Sequence, residues 1–362
     1  MKNLNVVLTL TLILMSVFNP DVRCEVGNLR PFSEINQVQV TSSWKNLTDV
    51  ATIDMPKNVV VRQDNQTLTE LNDHIKKGDR VIISTGYSPN MNMEFQGFVR
   101  SVSKNVPLRI ECEDYMYLLK LDAHTFSLKE PTLKDIVNKV LTGDNIDQMR
   151  ADGYDFDVSI TDTEPLYDQF TARSATGAQI LQQIKDELPF AAYFTIDPEG
   201  NNKPQLIVGY RPGYGSYTAD ESNLKPVLRF GTNVPKNGWN LTYQNEDDVK
   251  VKIKAISNLK SGKKLIVEVG DPTGEVHTRN YPPITKDQLT QYANEELRNF
   301  KRNGLDGQVM AFGEPFIKHG DTVIIDDPIY TKETRRVIVD ETVLTITEKP
   351  TIRRKVVPGL NV

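Results

Sequence analysis

Short runs in which apolar and polar residues alternate crowd both ends of the chain. Val38 and Val40 alternate with Gln37 and Gln39, and Leu108, Ile110 and Cys112 alternate with Arg109, Glu111 and Glu113. A period of two places successive side chains on opposite faces and predicts half-buried strands. Residues 51–55, stopped by Pro56, and residues 80–84, with Val81, Ile82 and Ile83, are further predicted strands. Between Met93 and Val102 the alternation puts Phe95, Gly97, Val99 and Ser101 on one face. Glu94, Gln96, Phe98, Arg100 and Val102 fall on the other. Toward the C-terminus Val249, Val251, Ile253 and Ala255 alternate with Lys250, Lys252 and Lys254, and residues 265–269 return across a Ser261-Gly262 turn. Residues 307–312, 321–325 and 335–347 complete the predicted strands.

The middle of the chain changes period. Leu133, Ile136, Val137, Val140 and Leu141 recur at helical spacing, with Pro131 ahead and Gly143 behind. A second helix is expected from a Ser174 cap through Ile180, Leu181, Ile184 and Leu188, where Pro189 stops it. A hairpin follows, residues 191–196 and 206–210, turning at Asp197-Pro198-Glu199-Gly200. Residues 211–220, rich in Gly and Tyr, read as a linker. One late helix has a capping box, Thr285 with Gln288. Its core face is Leu289, Tyr292, Ala293, Leu297 and Phe300, and Gly304 is expected to end it. The expected fold class is therefore α+β, mainly β: two similar small β-barrel domains, residues 1–125 and 226–362, flanking an α/β insert, residues 126–225.

The similarity of the two ends rests on a repeat. Ile75-Lys76-Lys77-Gly78-Asp79-Arg80-Val81-Ile82-Ile83 returns as Ile317-Lys318-His319-Gly320-Asp321-Thr322-Val323-Ile324-Ile325. Seven of the nine positions are identical, and the copies lie 242 residues apart, too far for a solenoid. Gly78-Asp79 and Gly320-Asp321 are the candidate structural turns. Glycine tolerates positive φ, and aspartate bonds nearby backbone amides. A proline precedes each copy, in Met55-Pro56-Lys57 and Glu314-Pro315-Phe316.

Composition narrows the function. The 362 residues are 25% charged and 38% hydrophobic, with a net charge of −5, an ordinary globular profile that does not suggest nucleic-acid recognition. Residues 349–355, with Arg353 and Arg354, are locally basic and read as solvated surface. Cys24 and Cys112 read as free thiols, although one bridge between them stays open. Residues 6–18 (VVLTLTLILMSVF) are too short to span a bilayer. They fit either a strand or the apolar part of a secretory signal, without a small-x-small cleavage site.

Chemistry is sparse. His74, His124, His277 and His319 lack metal-ligand spacing, and no nucleophile or phosphate-binding motif is present. The carboxylate clusters Glu111–Asp114 and Asp162/Glu164 read as turns or solvated surface. No catalytic residue, metal site or cofactor is expected.

Three phrases carry a family resemblance. Residues 40–53 (VTSSWKNLTDVATI) with Met55-Pro56-Lys57 resemble the first barrel of phage tail baseplate hub proteins. Glu113-Asp114-Tyr115-Met116-Tyr117-Leu118-Leu119-Lys120 resembles the segment that ends it. Ala311-Phe312-Gly313-Glu314-Pro315 through Gly320-Asp321-Thr322-Val323 resembles the second barrel. This is the superfamily of the contractile-tail hub, the late control D protein and the N-terminal half of type VI spike proteins. The resemblance implies a virion structural protein: a homotrimer of pseudo-sixfold symmetry adapting a hexameric tail tube to a trimeric spike, with other baseplate proteins as partners. It also implies that residues 6–18 are a strand. The end of the chain after the second barrel then implies a spike on a separate polypeptide. The alternative is a secreted or surface β-rich binding protein with a cleaved N-terminus.

Overall fold

The computed structural model describes residues 19–56, 61–63, 66–68, 74–103, 105–197, 201–212, 225–244, 249–259, 262–301, 304–329, 333–348 and 351–361. The apolar run 6–18, the linker stretch 213–220 and Ser261 lie outside them. The fold is α+β and mainly β, as the alternation predicts.

Six strands near the N-terminus form one unit: Pro20–Val26, Gln37–Ser43, Val50–Met55, Arg80–Tyr87, Asn90–Val102 and Leu108–Glu113. Six near the C-terminus form another: Val227–Arg229, Trp239–Gln244, Gly304–Ala311, Thr322–Asp327, Glu333–Thr347 and Ile352–Asn361. In both units the strands pair in the order first, fourth, fifth, sixth, third, second. The pairs are antiparallel, except that the first strand of the C-terminal unit runs parallel to its fourth. The units share one sheet. Gln37–Ser43 pairs antiparallel with Glu333–Thr347, residue Val38 opposite Ile346 and Ser43 opposite Glu341. Among the described residues the pairing is an open path from Pro20–Val26 to Trp239–Gln244.

Each unit has its own core. Cys24, Val38, Ile53, Val81, Ile83, Phe95, Val99 and Ile110 fill the first, joined by Leu344, Ile346 and Ile352 from the far end of the chain. Val309, Ile317, Val323, Ile325, Val337, Val339 and Val356 fill the second. Both cysteines are free and buried in the first core, where burial pushes the Cys24 thiol up to about 12 and raises Cys112 as well.

The insert packs helices Leu133–Val140 and Gly177–Glu187 against strands Phe190–Asp197 and Lys203–Tyr210. The second of these helices is capped by Thr176, not by Ser174. Ser174 sits at φ 47° with its amide bonded to Thr125, so the chain has not yet reached helical geometry there. The helix Asp144–Ala151, with no strong apolar stripe to betray it, was not expected. Strands Val251–Asn258, Lys264–Gly270 and Glu275–Tyr281 and the helix Lys286–Phe300 share this insert core through Val251, Ile253, Leu289 and Tyr292. Gly304 opens the strand after that helix instead of ending the helix, because its main chain pairs with Gln244 and Leu360.

Residues Glu94 to Val99 are all buried, although their alternation suggested one wet face. The strand lies between two cores: Phe95 and Val99 belong to the first unit, and Phe98 packs into the insert.

Candidate assembly surface

The two predicted turns have the same local geometry. Gly78 and Gly320 lie at φ 90° and 85°. The Lys76 amide donates to Asp79 Oδ2 at 2.7 Å, and the Lys318 amide to Asp321 Oδ2 at 2.7 Å. The Gly78 and Gly320 amides donate to the Val99 and Val339 carbonyls, and the Val99 and Val339 amides donate to the Asp79 and Asp321 carbonyls. A Cβ on either glycine would meet only a tyrosine hydroxyl, Tyr117 at 3.5 Å or Tyr193 at 3.6 Å. Space is therefore not the constraint; backbone conformation is. Gly78→Ala and Gly320→Ala should each cost about 1–2 kcal/mol, the penalty of a left-handed L-residue. Urea denaturation of both variants checks this, and unequal losses would mean the turns are not energetically alike.

The surroundings differ in burial. Gly320-Asp321 lies where the two units and the insert meet. His319, only 4% exposed, has Nε2 3.2 Å from Asp49 and an edge contact with Tyr193. The Asp49 carboxylate also accepts the Ser43 amide, and the Asp49 amide donates to Asp114. Burial, with Asp49 close by, raises the Asp114 carboxyl well above the usual carboxylate range; burial also raises Asp321.

Beside it is an ion cluster drawn from both units. Arg354 Nη2 meets Glu94 Oε1 at 2.6 Å and Nη1 meets Oε2 at 3.2 Å, a bidentate pair. Arg354 also donates to the Ile317 carbonyl. Thr85 donates to Glu94, and Lys318 Nζ donates to the Glu94 carbonyl. Arg354 is 1% exposed. The basic segment near the C-terminus is thus not a solvated tail: Ile352, Arg354 and Val356 face inward from a strand. Its period of two was present in the sequence but was masked by charge at an inward position.

The seam between the units ends at Asp340. Its carbonyl accepts Ser43 Oγ at 2.9 Å, and its carboxylate accepts Trp44 Nε1 at 3.2 Å and pairs with Lys45 at 2.6 Å. Lys185, from the insert helix, donates to the Trp44 and Lys45 carbonyls. Trp44, Lys45, Lys185 and Asp340 help line a cleft of about 480 Å3. Burial, then Arg211, pulls the Lys185 ammonium down to about 8. The unfolded chain therefore holds that proton more tightly, and stability should rise as pH climbs from about 8 toward the ordinary lysine value. The rise in denaturation midpoint over that range should be smaller in Lys185→Met than in the unchanged chain.

The acidic cluster Glu111–Asp114 is structural. Glu111 and Glu113 pair with Arg100, Glu113 also with Lys120, and Asp114 caps the short helix Tyr115–Lys120. Asp162 and Glu164 are exposed and lie outside any strand. Among the described residues no group of three His, Cys, Asp or Glu could hold a metal ion, and no helix is long and apolar enough to cross a membrane.

No protein-family model matches the chain, and no curated protein matches its sequence. Solved structures do match its fold. A tail protein from Neisseria meningitidis MC58 is similar at 13% identity over 94% of this chain and 97% of its own, with a TM-score of 0.62. The 43 kDa tail protein of prophage MuSo2 from Shewanella oneidensis is similar at 12% identity over 94% and 98%, TM-score 0.59. An E. coli component of the type VI secretion system, itself described as structurally similar to the T4 tail proteins gp27 and gp5, is similar at 10% identity over 93% and 76%, TM-score 0.56. The chain therefore has the fold of phage tail proteins and of their type VI secretion relative.

Proposed function

We propose that this chain is a structural, non-catalytic baseplate hub of a phage tail or of a phage-derived injection machine. Three copies make a ring whose six β units have pseudo-sixfold symmetry. That ring adapts a hexameric tail tube on one side to a trimeric spike on the other, with further baseplate proteins around it and the virion tail as its location. The observation that carries the reading is the six-strand unit present twice with one pairing order. A threefold assembly of a duplicated unit meets a sixfold surface with near-equivalent contacts. The fold of known tail proteins supports the same reading. We divide the chain as 1–125, 126–225 and 226–362, with residues 251–300 of the last segment packed on the insert, and assign Gly78-Asp79 and Gly320-Asp321 as equivalent turns of a duplicated unit.

The test is light scattering on the full-length chain across a concentration series, with an intact-mass spectrum on the same sample. A particle of three times 41.0 kDa that keeps its N-terminus is expected. A monomer at every concentration sinks the trimeric reading. Loss of the first two dozen residues would favour the secreted binding protein instead.

A further inference from the structure

We infer that the edge of Trp239–Gln244 left uncovered among the described residues pairs with residues 101–103 of a second copy of this chain. This repeats between subunits the strand junction that joins the two units within one. The inference rests on the trimeric reading and specifies its contact.

The register is fixed by equivalences inside the chain. Ile53 pairs with Val38 and with Ile110; Val309 pairs with Trp239 and with Val356. Strand Trp239–Gln244 is therefore the counterpart of residues 38–43. The fifth strands align as well. Arg80 faces Phe98 as Thr322 faces Ile338. Both strands break register at the same point, between Val99 and Ser101 and between Val339 and Glu341. Past the break, Ser101 and Val102 face Glu111 and Ile110 as Glu341 and Thr342 face Val357 and Val356. Ser103 then corresponds to Val343.

Within the chain, Ser43, Ser42 and Thr41 pair with Glu341, Thr342 and Val343. Carried over to the counterparts, Gln244, Tyr243 and Thr242 pair with Ser101, Val102 and Ser103 of a neighbour. Both sides are placed for it. Among the described residues Trp239–Gln244 ends the sheet, with Gly304–Ala311 as its neighbour on the other side. The Ser103 amide already donates to the Arg109 carbonyl at 2.8 Å, so its own hairpin occupies the opposite side. Val106, in the turn just beyond, is 70% exposed, the largest exposure among the bulky apolar residues described. A covered edge accounts for that apolar surface. The fifth strand stops at Val102 in the first unit and at Thr347 in the second. The contact between subunits is therefore shorter than the seam within one. Each copy offers one edge and one seat, a head-to-tail contact that a threefold ring closes.

Directly opposed antiparallel residues lie about 4.5–5.5 Å apart, within disulfide reach. Thr242→Cys and Ser103→Cys chains are co-expressed, purified and oxidised with copper phenanthroline. Cys24 and Cys112 are buried and leave little background. Covalent dimers are expected from the mixture and not from either variant alone, and the double variant should give covalent trimers. Trimers by light scattering that yield no cross-link would overturn this pairing and leave the hub reading standing. Monomers throughout would overturn both.

Discussion

Replacing Arg354 by methionine is expected to remove about 3 kcal/mol or more of folding stability, read as a lower urea midpoint. The guanidinium and Glu94 are both almost fully buried, with side chains 2% and 3% exposed. Deleting the cation leaves a carboxylate in the interior with Thr85 and the more distant Lys318, whose Nζ is 3.9 Å from Oε2. Methionine fills most of the volume, so the loss reports the stranded charge more than a cavity. Adding Glu94→Gln to that variant should recover a substantial part, because the amide needs far less solvation than the carboxylate. A loss below about 1 kcal/mol would mean the pair is weak, like an exposed ion pair. Arg354 and Glu94 come from different units, so the variant also tests whether the units unfold together. The shared sheet and the contacts of Leu344, Ile346 and Ile352 with the first core should keep unfolding a single transition, at a lower midpoint.

Gly97→Ala should cost about 3 kcal/mol, at the upper end for overpacking. A Cβ there would lie 2.1 Å from the Glu113 carbonyl oxygen and 2.8 Å from Asp114 Cα. Both are backbone atoms, pinned by the strand Leu108–Glu113 and by the Asp114 cap. The counterpart in the second unit is Val337, which faces Val323 as Gly97 faces Val81. The same strand position holds a branched side chain in one unit and none in the other, because in the first the Glu113–Asp114 backbone passes closely behind it. Circular dichroism melts of Gly97→Ala and Val337→Ala would separate the two: the former suffers from an added atom, the latter from lost burial. A Gly97→Ala chain as stable as the original would show that Glu113 and Asp114 can move.

What was legible in the sequence followed from clean periodicity and local caps. The alternations around Val38, Ile110 and Ile253 became strands with those residues buried. Thr285 with Gln288 became a capping box. The repeat marked where two similar turns lie. What could not be read was set by contacts between distant segments. The alternation of residues 93–102 reads as half-wet because no local signal says that the insert covers the second face. Arg354 reads as solvent-facing because its partner is 260 residues away. The Ser174 cap was two residues early, since both Ser and Thr cap helices and here Thr176 forms the capping box with Gln179. The assignment of residues 251–300 to the insert core depends on packing that sequence spacing does not carry.

The seam between Gln37–Ser43 and Glu333–Thr347 also orders events in time. A ribosome releases the chain from its N-terminus, so the first unit emerges long before its last core residues, Leu344, Ile346 and Ile352, exist. Until then residues 37–43 present a bare edge and an open apolar face to solvent, the conditions under which nascent β proteins aggregate. Contacts of such long sequence separation also close slowly. A chain truncated before residue 333 should therefore lose solubility in its N-terminal half, the half it still contains in full.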